Sequence, residues 1–102
     1  MIIYNVTTSV EESIKSDWLK WMVDDHIPEV MACGFFIKAQ MNRIISKGDS
    51  DNTFAIGYTC SSMKDLHRYQ IDFAFSLQQK HTDRYGKKAL SFSTIMEIIE
   101  EF

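Results

Sequence analysis

The sequence predicts an α+β fold, with a four-stranded antiparallel sheet carrying two helices on one face in the order β-α-β-β-α-β. Three observations carry that expectation. Four stretches rich in β-branched and aromatic residues alternate in polarity as strands do. Two longer stretches place large apolar residues three and four positions apart, as one face of a helix does. The run SKGDSDN between the second and third strands is dense in turn formers.

Ile2–Val10 is the first strand. Ser9-x-x-Glu12 then has the form of a capping box opening the first helix. Along that helix Ile14, Trp18, Met22 and His26 step by four, and Trp21 lies three beyond Trp18. Asp17, Lys20 and Asp24 fall elsewhere and read as solvent-facing. Pro28 has no N–H for the carbonyl of Asp24 and disfavours helical dihedrals at Ile27. A kink or break is therefore expected at Ile27, with Pro28 opening a short second helix. Gly34 suits the left-handed stop.

Residues 35–46 form the second strand, 46–52 the turn and Thr53–Cys60 the third strand. Asp49 and Asp51 in the turn are spaced as calcium-loop ligands are, but the required glycine and closing glutamate are missing. Ser62-x-x-Asp65 caps the second helix. Its main face is Leu66, Tyr69, Phe73, Leu77, His81 and Tyr85, and Gly86 ends it. His67, Ile71 and Phe75 form a separate stripe, either an edge of the core or a partner contact. Residues 90–99 are the last strand, and 100–102 a tail. With no linker or repeat, residues 1–102 read as a single domain. This element order is the ferredoxin-like split unit, and right-handed crossovers put both helices on the same face.

Alternate strand residues point to opposite faces. One set holds Tyr4, Val6, Phe35, Ile37, Ala39, Met41, Phe54, Ile56, Tyr58, Phe92 and Met96, and is expected under the helices. The other is mixed: Ile3, Phe36 and Ile95 stand among Asn5, Lys38, Gln40, Asn42, Ser91 and Ser93. On a monomer those apolar groups would face water. A partly polar interface fits them, so a homodimer packing these faces together is expected.

Composition narrows the functions. The chain has 102 residues, 45% hydrophobic and 25% charged, as in an ordinary globular protein. A net charge of -3 and a pI near 5.5 argue against a nucleic-acid partner. The start, MIIYNVTTSV, lacks the basic region of a signal peptide. No apolar run is long enough to span a bilayer, so no membrane partner is expected. The expected location is cytoplasmic, with Cys33 and Cys60 as reduced, core-filling thiols.

No nucleophile–base pair, metal cluster or phosphate loop is visible. His26 and Glu29 supply two metal ligands where a catalytic zinc needs three, so neither metal nor other cofactor is expected. Tyr4, Trp18, His26, Tyr58 and His81 are the ligand-binding candidates, able to meet between sheet and helices or simply to fill a closed core. His26 and His81 are the catalytic candidates, as acid or base, with Tyr4 or Tyr58 stabilising an oxyanion. Arg43 and Arg84 read equally as anchors for an acid or as surface ion-pair partners.

Several of these residues also carry a resemblance. Trp18-x-x-Trp21-Met22, His26-Ile27-Pro28-x-Val30 and Gly34-Phe35, with Leu66-x-x-Tyr69, Arg84-Tyr85-Gly86 and Phe92-Ser93-Thr94, resemble a family of short bacterial proteins known only as a domain of unknown function. The resemblance covers nearly the whole chain. That family is similar to the dimeric α/β-barrel superfamily, which implies two ferredoxin-like sheets meeting face to face with helices outside. The superfamily includes cofactor-independent monooxygenases, muconolactone-type isomerases, polyketide cyclases and haem-degrading enzymes, many with a pocket between sheet and helices. Haem-degrading members use an asparagine on the first strand and a tryptophan and histidine on the second helix. Asn5 and His81 match in kind, but the second helix has no tryptophan and Tyr69 is its nearest bulky aromatic. The family itself implies no activity; the residues leave two readings, a small-ligand-binding or interaction module, or a cofactor-independent enzyme acting on an aromatic or polyketide-like substrate.

Overall fold

The computed structural model describes residues 1–48 and 51–102. Strands β1 (Ile2–Val10), β2 (Lys38–Arg43), β3 (Thr53–Cys60) and β4 (Ala89–Glu97) form one antiparallel sheet in the order β2-β3-β1-β4. Two helical segments cover one face, giving the ferredoxin-like α+β arrangement. No helix of the described residues is long and apolar enough to cross a membrane. Of the two aspartates in the turn, Asp49 lies outside the described residues, and Asp51 has φ of 61°.

The first helical segment departs from expectation at both ends of its motif. Ser9 stays in β1 rather than capping, and no side chain caps the turn that begins at Glu12. Nor is there a break at Ile27, which is helical at φ -62° and ψ -44°. Helix α1 (Lys15–Trp21) runs through a π-helical turn, Met22–His26, into α2 (Ile27–Ala32). The N–H of Ile27 reaches back five residues to the Met22 carbonyl. The wider turn absorbs the donor that Pro28 lacks, so the chain widens instead of kinking. Gly34 then takes φ of 86° and ends the segment.

Helix α3 (Met63–Tyr69) starts as expected, with Ser62 Oγ accepting from the Asp65 N–H at 3.3 Å. A second π-helical turn, Gln70–Ala74, joins it to α4 (Phe75–Tyr85). That turn moves the buried face by one residue. Leu66, Tyr69, Ala74, Leu77 and Tyr85 are buried, while Phe73 is displaced to the margin against Phe35 at 5.9 Å. Ile71 and Phe75 stand in solvent, 79% and 77% exposed.

The ladders fix which side chains share a face. Tyr4 lies between Tyr58 and Ile95, Val6 between Ile56 and Ser93, and Thr8 between Phe54 and Ser91. These residues face the helices. The core is built there from Trp18, Phe54, Ile56, Leu66 and Val30, all essentially without solvent exposure. Two face assignments are corrected. Phe36 precedes β2, outside the regular pleat, and turns inward against Tyr58 and Tyr69 at 5.2 and 4.9 Å. In β4 the parity is reversed: Phe92 and Met96 point to the open face, while Ser91, Ser93 and Ile95 point to the helix side. Ala89 sets that phase, buried opposite Val10. β2 is also shorter than the expected 35–46, and β4 ends two residues earlier.

Candidate functional site

The helices rest on β1, β2 and β3 but do not close over β4. Beyond Ala89 every residue of β4 is solvent-exposed, and two of its helix-side positions, Ser91 and Ser93, carry serines rather than core hydrophobes. The space left between α4 and β4 is a cavity of about 590 Å³. Tyr4, Tyr58 and Ile56 form its floor, His26 and Met22 come from the first helical segment, and His81 from α4.

Four of the five ligand-binding candidates therefore border one volume: Tyr4, His26, Tyr58 and His81. The fifth, Trp18, is fully buried and lies behind it. Trp18 is linked to the wall nonetheless, because its Nε1–H donates to His81 Nε2 at 2.9 Å. The two catalytic candidates are neighbours, with ring centroids 6.0 Å apart. Trp21 stacks on His26 at 4.9 Å and approaches His81 at 6.0 Å. Helical spacing brings these together: Trp18, Trp21 and His26 share a face of their segment, and His81 and Tyr85 are four apart on α4.

This aromatic setting decides the charge. Burial pushes the His26 imidazole down to about 4, helped by His81 and opposed by Glu29. Its Nδ1 is buried without a hydrogen-bond partner, which an imidazolium would not tolerate. Burial lowers His81 as well. Both rings are thus neutral near pH 7; His81 Nε2 already accepts from Trp18, which leaves His26 as the ring able to act as a base. Burial holds Tyr58 and Tyr69 well above the ordinary phenol range, so both remain protonated. Tyr4 Oη accepts from Gln78 Nε2 at 3.4 Å.

The outer end of the aromatic cluster is tied by charge. Tyr85 Oη donates to Asp17 Oδ2 at 2.8 Å, and Arg84 Nε donates to Tyr85 Oη at 3.0 Å. The Arg84 guanidinium also meets Asp17 and lies 5.5 Å from the Trp21 ring centre. Arg84 is thus a link between the two helical segments, and Lys80 with Glu29 is a second. Arg43 lies over the Phe54 ring, away from the cavity lining.

Sequence reasoning missed Gln78, Thr82 and Lys87 on the helix side and Ser91 and Ser93 on β4. Gln78 lies three residues before His81 and four before Thr82, so the α4 signal was present. The serines were hidden by the reversed parity. Asn5 lies on the open face, its side chain bonded to Thr7 Oγ1 at 3.1 Å, away from His81 and the cavity. Among the described residues, no group of three or more His, Cys, Asp or Glu is placed to hold a metal ion.

A family profile, Domain of unknown function (DUF4286), matches residues 1–99. The chain belongs to this family. The tryptophan, His26-Ile27-Pro28 and Gly34-Phe35 motifs all lie in the matched span, as do both cavity histidines. No curated protein matches. Solved structures share the fold at low identity. A mutant of SnoaB, a cofactor-independent oxygenase from Streptomyces nogalater, is 10% identical with a TM-score of 0.75, covering 98% of this chain and 94% of that one. An ethyl tert-butyl ether d (ethd) family protein of Bacillus halodurans is 14% identical, with a TM-score of 0.69 and coverage of 97% and 100%. A dimeric ferredoxin-like protein from an uncultured marine organism is 15% identical, with a TM-score of 0.66 and coverage of 100% and 98%. Identities this low establish the fold and leave activity open.

Proposed function

We propose that this DUF4286 protein is a homodimer that binds a small, largely apolar or aromatic molecule between its sheet and helices. The observation that carries the reading is the 590 Å³ cavity bordered by Tyr4, His26, Tyr58 and His81. Its size is within the range of small-molecule sites, and its wall mixes aromatic surface with a few polar groups. The dimer is supported by the open sheet face, where Leu90, Phe92 and Met96 are exposed beside Ile3. Phe92 alone leaves 65% of its surface in water. The reversed parity of β4 and the inward turn of Phe36 take Ile95 and Phe36 off that face and put Phe92 and Met96 on it, so an apolar patch remains there. A protein of the same fold is described as dimeric. We place the protein in the cytoplasm, which accords with free Cys33 and Cys60.

One observation favours a second reading, a cofactor-independent enzyme for an aromatic or polyketide-like substrate. A neutral His26 and several protonated tyrosines border the same cavity, the arrangement needed to take a proton and stabilise the oxyanion formed. SnoaB, of similar fold, is described as a cofactor-independent oxygenase.

Native mass spectrometry of freshly purified protein tests the first reading. Two chains with a reproducible extra mass are expected. A single bare chain would remove the dimer and leave the exposed sheet face unexplained. Once a co-purifying molecule is known, turnover of it lost in His81→Ala and His26→Ala would move the reading to an enzyme; binding without turnover keeps it a binding module.

A further inference from the structure

The cavity's polar groups are not evenly split between donors and acceptors. Trp18 is fully buried, and its indole nitrogen can only donate. Nε2 of His81 must be the accepting nitrogen of their 2.9 Å bond. A neutral His81 therefore carries its proton on Nδ1. A second proton on Nε2 would set two donors against each other in a buried place, so the bond also opposes charging of the ring. His81 borders the cavity with its accepting nitrogen already taken. The ring N–H it can still offer a ligand is a donor.

Several neighbouring groups lean the same way, while His26, Gln78 and the serine and threonine hydroxyls can both donate and accept. Tyr4 Oη already accepts from Gln78, which frees its own proton. Tyr58 and Tyr69 keep their hydroxyl protons. Lys87, at the rim, has donors and no lone pair. None of the described residues lining the cavity carries a carboxylate.

Given that the cavity is the ligand site proposed above, we infer that it selects molecules that join an apolar ring body to an accepting oxygen, either a neutral carbonyl or an anion, and rejects amines and other cations. Trp18 is a positioning residue in that selection, acting through the tautomer of His81. A cation entering here would lose its water and find no carboxylate to pair with. An accepting oxygen would meet the ring N–H of His81, fixed by its bond to Trp18, and the hydroxyl protons of the tyrosines.

Three probes with one ring system separate the possibilities: 1-naphthoate, 1-naphthaldehyde and 1-naphthylmethylammonium. Binding is measured by titration calorimetry at pH 8 with the full chain. The net charge of -3 would by itself favour the ammonium compound, so the expected order runs against the overall field. Naphthoate and naphthaldehyde should bind roughly tenfold or more tighter than the ammonium probe, the equivalent of about one hydrogen bond. In parallel, ¹⁵N-edited spectra should show His81 as the Nδ1–H tautomer. In Trp18→Phe they should show a shift toward Nε2–H, together with weaker naphthaldehyde binding. If none of the probes binds, the pocket reading falls and this one with it. Equal or tighter binding of the ammonium probe overturns this inference alone. An Nε2–H tautomer in the unmodified protein removes the role of Trp18. Should Trp18→Phe fail to fold, the wild-type tautomer and the probe order still decide.

Discussion

Beneath β3 the helices close on the sheet, whereas beneath β4 they stop short. On the first side Phe54 packs 5.3 Å from Trp18, and Phe36 packs its ring against both Tyr58 and Tyr69. On the second side Ser91 and Ser93 face the same layer of helices and meet open space. Both halves belong to one sheet, on either side of β1. The difference lies in what each strand offers its inner face. A small side chain opposite α4 leaves room that no helix residue fills, and interiors leave such room only where packing does not demand otherwise. Core and cavity are thus two ends of one layer, which makes them separable by mutation.

The largest expected effect lies in the closed half. Phe54 is 2% exposed, and truncating a buried phenylalanine costs about 3–5 kcal/mol. Phe54→Ala should remove much of the stability of a domain this small. Urea unfolding at one fixed protein concentration checks it, since a dimer's midpoint moves with concentration. A loss below about 1 kcal/mol would mean that the closed half is not close-packed.

The second effect sits at the border between the halves. His26 resists protonation until about pH 4 in the folded protein, while an unfolded histidine takes its proton near 6.5. Between those values the unfolded chain binds more protons, so stability is full above the upper value and is lost as pH falls toward the lower one. Glu29 faces His26 and opposes the shift, while Lys80 and His81 favour it. The loss should be about 2 kcal/mol between pH 7 and pH 5. His26→Gln should flatten that slope, measured as the difference from wild type at each pH. An unchanged slope would place the imidazole in water rather than in the aromatic wall.

Two glycines give a smaller contrast, because each ends the helix that leads into one half. Gly34 precedes β2 at φ 86°, where an added Cβ meets nothing within 4 Å. Gly34→Ala should cost only the backbone strain, about 1 kcal/mol. Gly86 precedes β4 at φ 56° and ψ -131°, a region that other residues scarcely enter. Gly86→Ala should cost about 1–3 kcal/mol and disturb the cavity rim as well. Thermal unfolding of both variants ranks them, and the reverse order would mean that the rim relaxes more freely than the closed side.

Much of the closed half was legible in the sequence, and the open half less so. Trp18, Met22 and Val30 announce a buried helix face, and the alternation of residues 53–60 announces a buried strand. Both signals come from apolar residues seeking cover. In β4 the large apolar residues are Leu90, Phe92, Ile95 and Met96, which change phase midway. The largest of them, Phe92, faces away from the helices. No rule that equates apolar with inward recovers that strand, because its inner face borders a cavity and its outer face carries the hydrophobes. The π-helical turns were illegible for another reason. Pro28 signals that a hydrogen bond is missing, but whether the chain breaks or widens depends on Trp18, Met22 and Val30 all reaching the sheet. Likewise, spacing brought His81 to the right face of α4, but only the crossing of two helices sets its Nε2 against the Trp18 indole.

The smallest effect on stability should carry the largest effect on binding. Ser93 is exposed, lies opposite Val6 on the helix side of β4, and borders the cavity. Enlarging a residue inside a packed core usually costs about 1–3 kcal/mol through forced rotamers and backbone shifts. At Ser93 the added volume enters empty space instead, and a strand favours an aromatic side chain. Ser93→Trp should therefore leave the unfolding midpoint within about 0.5 kcal/mol of wild type. It should also abolish the binding of naphthalene-sized probes by occupying the volume they need. The two readouts test different halves of the comparison. Lost stability would show that β4 is packed against the helices after all. Retained binding would show that the ligand sits elsewhere, and would leave Tyr4, His26, Tyr58 and His81 as the lining of an empty gap.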